Sequence, residues 1–159
     1  MKNLLALLVL MLAAAAPLRA QEMRLAGQRS EIKETRLVVA RSPEEFASLW
    51  KQHNPGQAAP AVDFSQRIVV AVFLGERRTG GTKVELTLMA DPLDGSKLVV
   101  FYKEIAPAKS GFSTQVVTCP FEIVAVDKKY AAVTFERNLR ARALVDTLSD
   151  TAGKAFDLR

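Results

Sequence analysis

Between Arg67 and Gly75 the chain runs through seven apolar residues without a break: Ile68, Val69, Val70, Ala71, Val72, Phe73 and Leu74. The run is rich in β-branched side chains and too short for an amphipathic helix, so it predicts a strand. With no polar alternation, both of its faces must be buried, which places it centrally in a sheet, with a helix over one face. The next segment behaves differently. Val84, Leu86 and Leu88 alternate with Lys83, Glu85, Thr87 and Met89, the pattern of a strand with one packed and one wetter face.

Similar patterns recur along the chain. Residues 32–39 carry a first strand, strongest over Arg36, Leu37, Val38 and Val39. Leu98, Val100 and Tyr102 alternate with Val99, Phe101 and Lys103, giving another strand over 97–105. Residues 113–118 and 121–126 read as strands separated by Cys119 and Pro120. The proline cannot donate to a ladder, and so marks an edge, bulge or strand entrance. Residues 130–135 form a further strand after the polar turn Asp127, Lys128, Lys129. Asp91-Pro92-Leu93-Asp94-Gly95 is a strong turn signal.

One helix is written clearly. Ser42 supplies an N-cap, Pro43 fits the first helical position, and Glu45 completes an S-x-x-E capping box. Phe46, Leu49, Trp50 and His53 then recur on one face, and Asn54-Pro55-Gly56 ends the element. The expected fold is mainly β with one short α-helix: a compact antiparallel or mixed sheet arrangement, sandwich-like or barrel-like. Residues 21–31 are polar and read as a flexible segment in which Met23 and Leu25 pack locally, 32–150 as a single domain, and 151–159 as a tail with Phe156 and Leu158 as docking points. Arg140-Ala141-Arg142-Ala143-Leu144-Val145 fits either strand or short helix.

Gly75-Glu76-Arg77-Arg78-Thr79-Gly80-Gly81-Thr82 joins the two central strands. Glycine admits positive φ, and a Gly-Gly pair suits the primed turns of hairpins, so a plain hairpin connection is the first expectation. The spacing fits neither GxxxxGK[ST] nor GxGxxG, which argues against a phosphate cradle. The functional alternative is an exposed recognition loop. In that reading Arg77, Arg78, Thr79, Gly80, Gly81 and Thr82 form a partner-binding surface, with the two arginines offered to acidic groups.

Asp63-Phe64, then VVAVFLGERRTGG at 69–81 and PFEIVAVDKK at 120–129, resemble the C-terminal domain of the protease complex subunit PrcB. The likeness spans residues 60–129. It implies a compact β-rich domain of exported bacterial proteins, with a member that associates with a secreted protease. It does not imply that the domain is a protease. In that family an aromatic residue often follows the glycine pair, where this chain has Thr82. The substitution bears on partner contact if that side chain faces outward, and on repacking if it caps the core.

The amino terminus sets the expected compartment. Lys2 precedes thirteen apolar residues, 4–16, followed by Pro17 and by Ala20 ahead of Gln21. The run is too short for an ordinary membrane span and matches a removable secretory signal over 1–20, so the mature protein is expected in the periplasm or outside the cell. Removing it takes away Lys2 and Arg19 but no acid, lowering the formal charge from +5 to a mild basic excess. Such a surface suits acidic envelope polymers or an acidic protein face, and gives little support to nucleic-acid binding.

The candidate chemistry is sparse. His53 is the sole histidine and Cys119 the sole cysteine. Neither has a metal-ligand or nucleophile–base partner at diagnostic spacing. Each is expected to pack, His53 at the boundary of the helix and Cys119 as a small apolar group. Trp50 is expected against the sheet, and Asp63 in an Asx-type turn with Phe64 as its apolar pin. No catalytic, cofactor or metal residues are assigned. The leading function is an exported protein-binding or protease-accessory domain, whose partner is an envelope or secreted protein such as a protease. A structural envelope module and an enzyme of unassigned reaction stand as alternatives.

Overall fold

A computed structural model describes residues 23–107 and 116–137. Among these residues seven strands and one helix follow in the order β1 (Arg24–Gly27), β2 (Arg36–Ala40), α1 (Pro43–His53), β3 (Arg67–Phe73), β4 (Lys83–Ala90), β5 (Lys97–Ile105), β6 (Phe121–Asp127) and β7 (Ala132–Arg137). They form two sheets. One is four-stranded and antiparallel, ordered β1-β6-β3-β2; the other is three-stranded, ordered β4-β5-β7, with β7 parallel to β5. The sheets pack face to face as a sandwich and do not close into a barrel.

β3 occupies the place its sequence demands. It lies between β2 and β6, and Ile68 through Phe73 are fully buried. Its alternation splits the core in two. Val69, Ala71 and Phe73 face α1, with Phe46, Leu49, Trp50, Ile123 and Phe64. Ile68, Val70, Val72 and Leu74 face the second sheet, meeting Val84, Leu86, Leu98 and Val100. The β3 side chains thus hold together a three-layer arrangement of helix, sheet and sheet.

The helix forms as its sequence directs. Ser42 is extended (φ −134°), and its hydroxyl accepts the Glu45 backbone N–H at 3.2 Å. The Glu45 carboxylate reaches one residue beyond the usual partner and accepts the Arg41 N–H at 2.6 Å. Asn54 closes the other end by donating its backbone N–H to Trp50 O at 2.7 Å. Trp50 is buried as expected, and its indole N–H donates to Gln57 O at 2.9 Å. Asp63 makes the expected turn, accepting the Ser65 N–H at 3.0 Å, and Phe64 is buried beneath it.

Several expectations need correction. Residues 24–27 lie within the segment read as flexible, yet they form β1; Leu25 and Met23 pack against the helix-side core, and Ala125 N donates to Met23 O. A few half-buried apolar positions, paired to a central strand, outweigh the polar composition. The strand placed at 32–39 forms only over Arg36–Ala40, and is second in order. His53 is no boundary residue. It is 2% exposed, its ring 4.2 Å from that of Phe121, 5.1 Å from Trp50 and 5.4 Å from Phe73. Finally, β3 and β4 are not a hairpin: they belong to different sheets, and the glycine-rich segment carries the chain across the sandwich.

The segment placed as a strand at 113–118 is described only from residue 116. There Thr118 makes a single antiparallel bridge to Arg77 rather than a strand. The strand placed at 130–135 is shifted to Ala132–Arg137. The proposed signal at 1–20, the tail at 151–159 and the ambiguous stretch after Arg137 lie outside the described residues.

Candidate functional site

The glycine-rich segment leaves β3 under tight constraint. Gly75 has φ +74°, and a Cβ there would lie 2.6 Å from Lys33 O, a carbonyl that accepts the Glu76 N–H at 2.9 Å. Only glycine fits so close a backbone approach. Arg77 then exchanges two backbone hydrogen bonds with Thr118, at 2.7 and 2.8 Å. Gly81, at φ +87°, turns the chain towards β4 against the ring of Pro107.

This geometry divides the six residues singled out from the sequence. The Arg77 guanidinium forks onto Glu104 of β5, Nε to Oε1 at 2.8 Å and Nη2 to Oε2 at 3.0 Å. Arg137 approaches the same carboxylate at 3.6 Å. The paired hydrogen bonds from Arg77, assisted by the charges of both arginines and opposed by partial burial, hold Glu104 below its ordinary carboxylate pKa. Arg77 is therefore a strap between the crossover and the second sheet, and not a cation offered to solvent.

Thr82 is 2% exposed, with its hydroxyl 2.9 Å from that of Thr79. At the position where the resembled family often carries an aromatic residue, this chain places a buried, hydrogen-bonded threonine. The Thr79 carbonyl accepts the Thr118 hydroxyl at 3.2 Å, and Gly81 N donates to Gln28 Oε1 at 3.3 Å. Arg77, Thr79, Gly81 and Thr82 thus build the loop.

Arg78 is what the loop presents. It is exposed and makes no hydrogen bond or ion pair with the described residues. The antiparallel bridge between Arg77 and Thr118 sets Arg78 in register with Val117. Val117 is 58% and Val116 53% exposed, above every other valine and isoleucine among the described residues, the next being Ile105 at 38%. A free guanidinium beside two solvent-facing valines on a braced backbone is suited to contact with another macromolecule. Sequence reasoning found Arg78 but missed both valines, having assigned them to a strand; their signal was the uninterrupted pair at 116–117 just before the Cys119-Pro120 break.

Cys119 lies beneath this surface. It is buried, and burial, ahead of the nearby Glu76 charge, pushes its thiol above the ordinary range, away from nucleophilic activation. Among the described residues no group of three or more His, Cys, Asp or Glu could hold a metal ion, and no helix is long and apolar enough to cross a membrane.

Glu122 was also missed. Only 4% of it is exposed, in β6, yet its carboxylate is fully engaged: Arg24 Nε donates to Oε1 at 2.6 Å and Leu86 N donates to Oε2 at 2.8 Å. Arg24 Nη2 donates in turn to Leu86 O at 2.6 Å. Leu86 lies on β4, the edge strand of the second sheet, so two side chains from the first sheet satisfy its outward backbone groups.

Comparison with known proteins places the central part of this architecture. Residues 68–127 match the family model described as PrcB C-terminal. The PrcB C-terminal match runs from β3 to the last residue of β6, so it contains the crossover, β4, β5 and the Arg77–Glu104 strap. It bears out the resemblance carried by residues 69–81 and 120–129. No curated protein and no solved structure gives a significant match to the chain.

Proposed function

We propose that this protein is an exported, protein-binding accessory domain that engages a protease in the cell envelope or outside the cell. The family match over β3 to β6 carries this reading. In it, Arg78 meets an acidic group on the partner, while Val116 and Val117 meet an apolar strip. The crossover supports the contact through its bracing: Arg77 on Glu104 and the bridge to Thr118 fix the backbone, so little order is lost on binding. Charge complementarity at an exposed arginine would speed association and make it salt-sensitive. Residues 1–20 act as the export signal and are cleaved near Gln21.

The test is capture of partners from the envelope and secreted fractions, followed by binding measurements with wild type, Arg78→Ala and Val117→Asp. Recovery of a protease that binds R78A and V117D more weakly, with melting temperatures unchanged, supports the reading. Unchanged affinity removes this face from the contact. A precursor that stays uncleaved in the cytoplasm, read by intact mass and fractionation, overturns the export assignment.

A further inference from the structure

A different face carries an independent inference. The hydrogen bonds Leu74 N to Pro120 O and Lys128 N to Gln66 O fix the phase of the β3–β6 ladder, since each joins residues in register. Even-numbered residues of β3 therefore bond to β6, and odd-numbered ones bond to Arg36, Val38 and Ala40 of β2. The backbone groups of Leu37 and Val39 are left pointing outward from the last strand of the sheet. The next outward N–H, that of Arg41, is already taken by Glu45.

The β1 and β4 edges are handled differently: the Arg24–Glu122 pair satisfies the outward groups of Leu86. No described residue does the same for Leu37 and Val39. Beside β2 runs a trough of about 610 Å³ between the strand and the outer flank of α1, with Val38 half-buried in its floor. The trough is charged in a directed way. At one end Arg36 donates to Gln52 at 2.7 Å; at the other stands Glu44, exposed, in the first turn of α1.

We propose that β2 is a self-pairing edge through which two copies of this chain form a two-fold dimer. An antiparallel pairing centred on Val38 sets each Leu37 against the partner's Val39, so that the outward groups of both residues are satisfied on both chains. It apposes the two Val38 side chains on the axis and covers Leu37, which is 38% exposed. It also brings the Arg36 end of each trough opposite the Glu44 end of the other, because a two-fold axis reverses direction. The charge pattern is thus self-complementary, which selects a second copy over an unrelated extended strand. The four-stranded sheets become one continuous sheet, and each crossover site remains outside the interface.

The test is sedimentation equilibrium of the protein as the producing cell releases it, across a concentration series, with melting temperature as the check on folding. Wild type should dimerise reversibly. Arg36→Glu and Glu44→Arg should each weaken the dimer by roughly tenfold, since each reversal acts twice across the axis. The double variant R36E/E44R should restore it. Leu37→Lys, an exposed change that leaves the core intact, should give monomers. A wild-type monomer throughout overturns the proposal. So does a dimer indifferent to L37K and to both reversals, or a monomer whose Leu37 and Val39 amides are protected from exchange by residues 138–159 or by a different protein.

Discussion

Replacing Glu122 by alanine tests how the two sheets are held in register at the β1–β4 edge. The change removes both bonds made by the carboxylate, Arg24 Nε at 2.6 Å and Leu86 N at 2.8 Å. Leu86 is 3% exposed, so its N–H would be left buried without an acceptor, at about 1–3 kcal/mol. The Arg24 side chain is 48% exposed and can rehydrate, so losing the ion pair adds only about 1 kcal/mol or less. The total, about 1–4 kcal/mol, corresponds to a fall in melting temperature of roughly 3–15 °C for a domain of this size. Glu85→Ala is the control. It deletes an exposed pair with Lys103 at 2.9 Å and should cost about 0.5 kcal/mol or less. Calorimetry of the two variants gives the comparison, and amide exchange should show faster opening at Leu86 and residues 23–27 in E122A alone. Equal melting temperatures for E122A and E85A would refute the reasoning.

Val70→Asp puts a carboxylate at a fully buried position facing the second sheet, and should destabilise the domain by on the order of 4 kcal/mol or more, read as loss of a cooperative melt. Burial holds His53 below its ordinary pKa, so the native state disfavours the proton that the unfolded chain accepts near pH ~6.5. The stability from a neutral His53 is full above that pH and is lost as pH falls through the depressed folded value. The depressed carboxylates Glu44, Asp63, Asp94 and Glu104 act with the same sign but at lower pH, so melting temperatures should fall from pH 7 to pH 5 in wild type and stay flatter in His53→Phe. Arg77→Ala should loosen the crossover and lower the melting temperature, whereas Arg78→Ala should leave it unchanged; scanning calorimetry separates the two.

Local signals read well where local physics decides the outcome. The unbroken apolar run of β3, the Ser42–Glu45 cap and the Asp63 turn each needed only near neighbours, and each formed as its residues indicate. The crossover failed because a Gly-Gly pair is equally compatible with a hairpin and with a passage between sheets. The choice was made by long-range pairing of β3 with β2 and β6, which no local pattern encodes. The same holds for Arg77 and Arg78. They are adjacent and chemically identical, yet one meets Glu104, 27 residues away, and the other faces solvent. β1 was hidden for a similar reason: four residues of mixed character become a strand only because β6 offers them an edge.

Contact between the crossover face and a partner protein can be read in the producing cell by site-directed photocrosslinking. A photoreactive residue at position 78 or 117 samples that face. One at Leu93, 96% exposed in the β4–β5 turn, samples the far end of β4. Positions 78 and 117 should trap the same protease-containing species, and position 93 should trap none of it. Crosslinks from position 93 alone, or equal yields from both ends, would contradict contact through the crossover face.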